Sequence, residues 1–431
     1  MGVKLFAFLG TGNNDETEYF FADESNGKNH KTKFTQEAII KILEIPELEV
    51  IVFTTDKAYE KNWVPKDEGL RSRLENINAK FKNIMIPSGA SNDEIWQIFN
   101  IVYENIEEND EIYVDITHSF RSIPIVFMSV LNHAKITKGC HVKRILYGAF
   151  ESKTDNNRTP IFDLTLFDKI TDWSLGVDQL ISTGESAKFY LAAEETINPL
   201  KTQAKGKDEL IKLTAKCAKT ISDFYTDLKL SQGQSIQKSG VELKKVLSEI
   251  KELNKEERLE IKPFYNILEK IENQVSFFEE DNLVKNTLEC AKLCVKFGQY
   301  QQAYTFLLEN TINYFCIKAE LDWRDLGDRR KVEKIISGKN PIIENKKTYG
   351  VGDKSKAKIK ELQHLKDKLE FMTEDMTKYH YNLGQYRNTL NHAEFRKNTP
   401  AKKKIQDEIN SFIGEFEKIF LEEGEQDHVL W

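Results

Sequence analysis

Turn-forming residues are scarce: 21 glycines and 9 prolines stand among 431 residues, about 7% where about 12% is usual. That shortage excludes a collagen-like repeat, argues against an all-β sandwich and favours a helix-rich chain. Cysteine is scarce too. Five stand at Cys140, Cys217, Cys290, Cys294 and Cys316, and an odd number at sparse spacing excludes a disulfide framework. Cys290 and Cys294 are four apart in an apolar helical pattern with no second Cys or His pair nearby, so they read as buried core thiols rather than metal ligands. A basic excess is missing: 62 Lys and Arg face 69 Asp and Glu. A mildly acidic chain is no sequence-blind coat for nucleic acid, although it can hold a local basic cleft. No apolar run reaches the 18 or so residues that span a bilayer. The opening MGVKLFAFLG carries one basic residue and is broken at Gly10, so it reads as a first β-strand and not as a signal peptide. No membrane contact and a cytoplasmic location are expected.

Apolar residues make up 40% of the chain, enough for a real core, and the length suits two or three domains. Residues 3–9 form a continuous apolar run ending in Gly-Thr-Gly, a buried strand with a glycine-rich turn. Two strand-like arms around Asn26-Gly27 predict a small hairpin inserted before the first helix. ELEVIVFTT, NIMIP, EIYVDIT, HVKRILYGAFE and TPIFDLTLF read as further strands, alternating with helices over the first 170 residues. SNDEIWQIFNIVYENI opens on Ser91 with Glu94 as its capping box. The pattern predicts a Rossmann-like parallel sheet with helices on both faces. After about residue 170 proline thins out, and Lys, Glu, Leu and Ile take helical spacing. Helices are expected near 172–196, 206–230, 238–253, 264–278, 281–297, 299–320, 325–338, 355–373, 376–396 and 401–421. The fold class is therefore α/β plus all-α. Residues 339–356 read as a polar, lysine-rich loop. Lys402-Lys403-Lys404 reads as a solvated helix start.

Ligands of such sheets bind outside the carboxyl ends of the strands. Three polar turns lie there: Gly10-Thr11-Gly12-Asn13, Thr54-Thr55-Asp56, and Asp115 to Arg121. The first lacks the third glycine of a dinucleotide fingerprint and the lysine of a P-loop, yet its glycines let the backbone approach a ligand. In the third, Thr117, His118 and Ser119 form a tight turn and Arg121 lies in the next helix's first turn. Helix-start amides, two hydroxyls and an arginine suit a phosphate-bearing ligand.

In YRNTLNHAEFR, Arg387 and His392 are five apart, with Asn388 beside the arginine. Five helical residues rotate by about 140° and rise about 7.5 Å, so the two side chains share no stripe and meet only on something lying across the helix. A histidine serves as general acid or base near neutral pH, and an arginine stabilises a phosphorane-like transition state. One histidine per chain supplies one proton-transfer group; a two-fold dimer supplies two. No metal-ligand spacing accompanies them, so a metal-free mechanism fits. The chemistry is attack of a substrate 2′-hydroxyl on the adjacent phosphate of flexible, single-stranded RNA. It leaves a 2′,3′-cyclic phosphate and a 5′-hydroxyl.

The order strand-GTGNN, hairpin, DITHSFRSIP and helical RNTLNH resembles the CRISPR-associated CARF–HEPN ribonucleases, ancillary nucleases of type III systems. DITHSFRSIP is similar to that family's Asp-x-Thr-His-Gly-Phe-Arg signature, with Ser119 in place of the commoner glycine. Arg387-Asn388-x3-His392 matches the HEPN pattern Arg-x4–6-His. The resemblance implies a CARF domain over 1–170, a linker helix over 171–200 and a HEPN ribonuclease domain over 201–431. It implies a homodimer activated by cyclic oligoadenylate, tetra-adenylate before hexa-adenylate, and needing no cofactor or metal. Gly10, Thr11, Gly12, Asn13, Thr54, Thr55, Asp115, Thr117, His118, Ser119 and Arg121 would face the ring; Arg387, Asn388 and His392 would cut. Slow cleavage of the ring, with Thr11, Asn13 and Thr117 positioning its 2′-hydroxyl, is a further implication. The helix near 172–196, with Trp173 and Leu175, would relay binding to cutting. The rival classes are a ligand-sensing regulator, whose helical half would contact DNA or protein, and a helical scaffold without nuclease activity in which Arg387 and His392 are ordinary surface residues; in both, replacing His392 by Ala changes nothing enzymatic.

Overall fold

The computed structural model describes residues 2–12, 15–23, 27–66, 68–118, 123–253, 262–337, 363–392, 395 and 401–422. The chain divides into two compact units, residues 1–169 and 170–431.

The N-terminal unit is built on β1 (Val3–Leu9), β2 (Thr17–Phe21), β3 (Asn29–Thr32), β4 (Leu48–Thr54), β5 (Lys80–Met85), β6 (Glu111–Asp115), β7 (His141–Gly148) and β8 (Arg158–Asp163), in one sheet ordered β3-β2-β8-β7-β6-β1-β4-β5. β7, β6, β1, β4 and β5 run parallel. Both faces are covered. Phe6, Phe8, Ile51 and Phe53 pack with α4 (Asn92–Glu104) and α5 (Ile123–Thr137), while Leu5, Leu9, Val50 and Val52 pack with α1 (Thr35–Leu43) and α3 (Leu70–Asn76). Alternate residues of each central strand thus serve opposite cores, which is why β1 and β4 are apolar without a break. α2 (Asp56–Ala58) is a single turn that runs on into a π-turn over Tyr59–Trp63.

Two features depart from a purely parallel sheet with a separate hairpin. The hairpin of β2 and β3 is stitched into the sheet, β2 lying parallel to β8. β8 returns antiparallel beside β7. The connection between them holds only a single 3₁₀ turn, too little for the crossover that a parallel return needs.

The second unit is helical: α6 (Thr165–Thr183, its first turns in the N-terminal unit), α7 (Ala187–Gln203), α8 (Glu209–Lys229), α9 (Gly233–Leu253), α10 (Lys262–Val275), α11 (Leu283–Lys296), α12 (Tyr300–Lys318), α13 (Leu326–Ile336), α14 (Glu374–Asn391) and α15 (Lys402–Phe416). The expected single helix across 171–200 is two. Gly184 takes φ +72°, a left-handed stop after α6 that any side chain would strain, and its amide donates to the Leu180 carbonyl at 2.9 Å. Trp173, expected to relay a signal, is a core residue 3% exposed whose indole N–H donates to the Ala192 carbonyl. Leu175 is exposed. All five cysteines are buried and unpaired. Lys402, Lys403 and Lys404 are exposed in the first turn of α15. The lysine-rich stretch expected over 339–356 lies outside the described residues. Among the described residues, no helix is long and apolar enough to cross a membrane, and no cluster of three or more His, Cys, Asp or Glu is placed to hold a metal ion.

Candidate functional site

The strand order places a topological switch point between β1 and β6. From β1 the chain steps to β4 and β5, then returns to β6 on the other side of β1. At this crevice an α/β sheet binds its ligand. The turns after β1 and β6 touch there: a Cβ added to Gly10 would lie 3.3 Å from that of His118. Asn62, in the π-turn, donates to the carbonyls of Gly10 and Gly12 at 2.7 and 3.0 Å and so holds the glycine loop.

Beneath the crevice lies a buried polar network. Asp115 ends β6 fully buried. One carboxylate oxygen accepts from the Thr117 amide at 2.9 Å and from its hydroxyl at 2.5 Å; the other accepts from the Gln36 side chain at 2.6 Å. Thr117 in turn accepts from the Gly148 amide at 2.8 Å. Burial outweighs these hydrogen bonds and pushes the Asp115 carboxyl up to about 6. His118 stands above the network with its Nε2 buried and without a hydrogen-bond partner. Burial drives its imidazole down to about 4, so it is neutral at physiological pH. Tyr19 is buried nearby; its phenol is raised by burial, with the charge of Asp115 adding to the effect.

Several expected ligand contacts have other duties. The Thr54 side chain is buried, and its hydroxyl bonds to Asn83 at 2.9 Å. The Thr55 hydroxyl accepts from the Ala58 amide as the cap of the next turn. The Thr117 hydroxyl proton is committed to Asp115. Gly10, Thr11, Gly12 and His118 remain at the mouth of the crevice. Asn13, Ser119 and Arg121 lie outside the described residues. Sequence reasoning passed over Asn62, Gln36 and Gly148. Gln36 carried a usable signal, a polar residue on the buried face of α1; Asn62, in a short turn with no periodicity, carried none.

The network makes an opposed pH linkage. With Asp115 raised, the folded state binds more protons than the unfolded one between about pH 4 and 6, so this group's stability contribution falls as pH rises. With His118 lowered, the unfolded state binds more protons between about pH 4 and 6.5, so its contribution rises with pH. Each is worth about 3 kcal/mol. Asp115→Asn removes only the falling contribution. Its unfolding free energy, measured by urea titration, should gain about 3 kcal/mol on the wild type between pH 4 and 6. A constant difference across that range contradicts the assignment.

In the helical unit, Met376, Tyr379, His380 and Leu383 form the buried stripe of α14. Arg387 continues that stripe, four residues beyond Leu383. Its side chain is only 29% exposed and its Nε is buried without a hydrogen-bond partner. Nη1 reaches the Asn388 side-chain oxygen at 3.4 Å, and Nη2 lies 3.7 Å from Glu309. His392 caps the end of the helix, exposed, its amide donating to the Asn388 carbonyl at 3.0 Å. Stacking of Tyr386 on Tyr304, at 5.7 Å and 2° between ring planes, fixes this end of α14. The second histidine of the helix, His380, is buried and held down to about 4 by burial; its Nδ1 lies 2.6 Å from the Thr311 hydroxyl. It is too enclosed to meet a substrate.

Comparison with known proteins finds two likenesses. Residues 4–151 match the family model described as CRISPR system endoribonuclease Csx1, CARF domain. The chain is also similar to the CRISPR-associated protein MJ1674 of Methanocaldococcus jannaschii, 24% identical over 308 residues. That match covers 70% of this chain and 44% of the relative. The chain thus spans less than half the length of that relative.

Proposed function

We propose, from the premise that residues 4–151 are a CRISPR-associated CARF domain, that this protein is a ribonuclease switched on by cyclic oligoadenylate. The ring lies over the crevice at Gly10, Thr11, Gly12 and His118, across the two-fold axis of a homodimer. Asn13, Ser119 and Arg121, outside the described residues, are the further contacts that the sequence motif implies. The Asp115–Thr117–Gln36 network supports it from below. Tetra-adenylate is the expected activator and hexa-adenylate the rival. The helical unit acts as a HEPN nuclease that degrades single-stranded RNA without a metal ion, in type III CRISPR defence.

The observation that carries this reading is Arg387. A cation on a core-facing stripe with a buried, unpartnered Nε is costly to leave unsatisfied. A phosphate oxygen is the partner that satisfies it. The exposed imidazole of His392 follows five residues later. In the reaction the 2′-oxygen attacks the adjacent phosphorus and its proton passes to one imidazole. The P–O5′ bond breaks, and the 5′-oxygen takes a proton from the partner protomer's imidazole. Arg387 holds the charge that builds on the phosphorane, and Asn388 steers the guanidinium. Activation is a population shift: the ring must bind the cutting state better than the resting one.

The test is cleavage of a fluorogenic single-stranded RNA in EDTA with cyclic tetra-adenylate, cyclic hexa-adenylate or no ring. The expected result is cleavage with one ring only and fragments ending in 2′,3′-cyclic phosphate. A protein that binds a ring and cuts with neither would overturn the reading.

A further inference from the structure

Arg387 is not alone on its face of the helical unit. Glu309, on α12, stands between it and Arg329 on α13. Both Nη groups of Arg329 are engaged: Nη1 donates to the Asn313 side chain at 2.5 Å and to the Trp323 carbonyl at 2.8 Å, and Nη2 donates to Glu309 Oε2 at 2.6 Å. Glu309 Oε1 faces Arg387 Nη2 at 3.7 Å, an ion pair without a hydrogen bond. One carboxylate oxygen is thus anchored and the other is turned to an arginine whose Nε is buried without a hydrogen-bond partner. The anchor is 17% exposed and the carboxylate 41%, so the carboxylate is more open to solvent than its anchor.

We propose that Glu309 is a positioning residue for RNA cleavage, holding the Arg387 guanidinium in line for the phosphorane, with Arg329 as its fixed support. This rests on the nuclease reading. A loose ion pair aims the guanidinium and also competes with the ground-state phosphate for it. Its loss therefore has two effects of opposite kind. The arginine binds the substrate phosphate more freely, and it is less well placed for the transition state.

The experiment compares wild type, Glu309→Gln and Arg329→Lys on one single-stranded RNA, with the activating ring at saturation. Both variants should lose about tenfold in kcat while KM falls about two- to threefold. The double variant should lose no more than the worse single one. Thermal unfolding is followed in parallel. A purely structural role would lower Tm and the active fraction, reducing kcat at constant KM; that result overturns the proposal, as do wild-type constants in Glu309→Gln. If the wild type itself leaves the RNA intact, the nuclease reading fails first and the positioning role falls with it. If Glu309→Gln proves unfolded, Arg329→Lys, which keeps a cation beside the carboxylate, decides by the same split.

Discussion

Replacing His392 by Ala is expected to slow RNA cleavage by about 10³-fold while leaving ring binding and thermal unfolding unchanged. The size follows from removing the proposed proton-transfer group, worth about 10²–10⁴ in rate. The fold should not notice, because His392 is an exposed cap whose helix contact is made by its backbone amide. Arg387→Ala should cost about 10²–10³ through loss of charge stabilisation. It should also disturb stability slightly, since Arg387 lies half-buried on the stripe of α14. The two substitutions act on one transition state, so their combination should be far from additive. Single-turnover rates on one RNA check both. Wild-type rates in His392→Ala would return the chain to the sensor or scaffold class and make the Arg-x4-His spacing a coincidence.

The second large effect is expected at Gly148, in the N-terminal unit. A Cβ there would lie 2.8 Å from Thr35 Cγ2, 3.0 Å from Thr35 Oγ1 and 3.3 Å from Thr117 Oγ1. Thr35 is fully buried in the first turn of α1 and cannot swing away. Gly148→Ala must therefore push β7 from α1 and stretch the bond from its amide to Thr117. Overpacking of a tight core costs about 1–3 kcal/mol, and the weakened hydrogen bond adds about 1. The N-terminal unit should lose about 3 kcal/mol in urea unfolding, and ring affinity should fall with it. Cleavage would then need more ring, while its rate at saturation stays near that of the wild type. That pattern separates damage at the sensor from damage at the cutting site. Unchanged stability would mean that β7 and α1 have room which the contacts deny.

Much of this was legible in the residues themselves. β1 and β4 had to be central, because strands apolar at every position need cover on both faces. The three polar turns were found because a parallel sheet puts its ligand at one edge. What the sequence concealed is which polar groups face outward there. Thr54, Thr55 and Thr117 look alike in sequence, yet one hydroxyl bonds to a neighbouring strand, one caps a turn and one serves a buried carboxylate. Only the Asn83 partner lies on a distant strand, hidden from local pattern; the Thr55 cap and the Thr117–Asp115 turn are pairs three and two residues apart, which the sequence could have shown. The joining of the hairpin to β8 was hidden for the same reason, since strands about 140 residues apart pair through register and not through spacing. The break at Gly184 was in principle visible, as a glycine ahead of Ser186 and a fresh helical pattern; the continuous apolar periodicity on both sides masked it. Arg387 was found by motif, while its burial could have been found by periodicity, because it occupies a position of the α14 stripe where an apolar residue belongs.

The central claim is that a ring bound at the β1–β6 crevice sets the nuclease running. The most direct measurement is the cleavage rate of one single-stranded RNA in EDTA, with and without saturating cyclic tetra-adenylate. The account predicts a rate about 100-fold higher with the ring, as when a cutting state near 1% of the population becomes dominant, and a return to background in His392→Ala. Equal rates with and without a ring that demonstrably binds would contradict it.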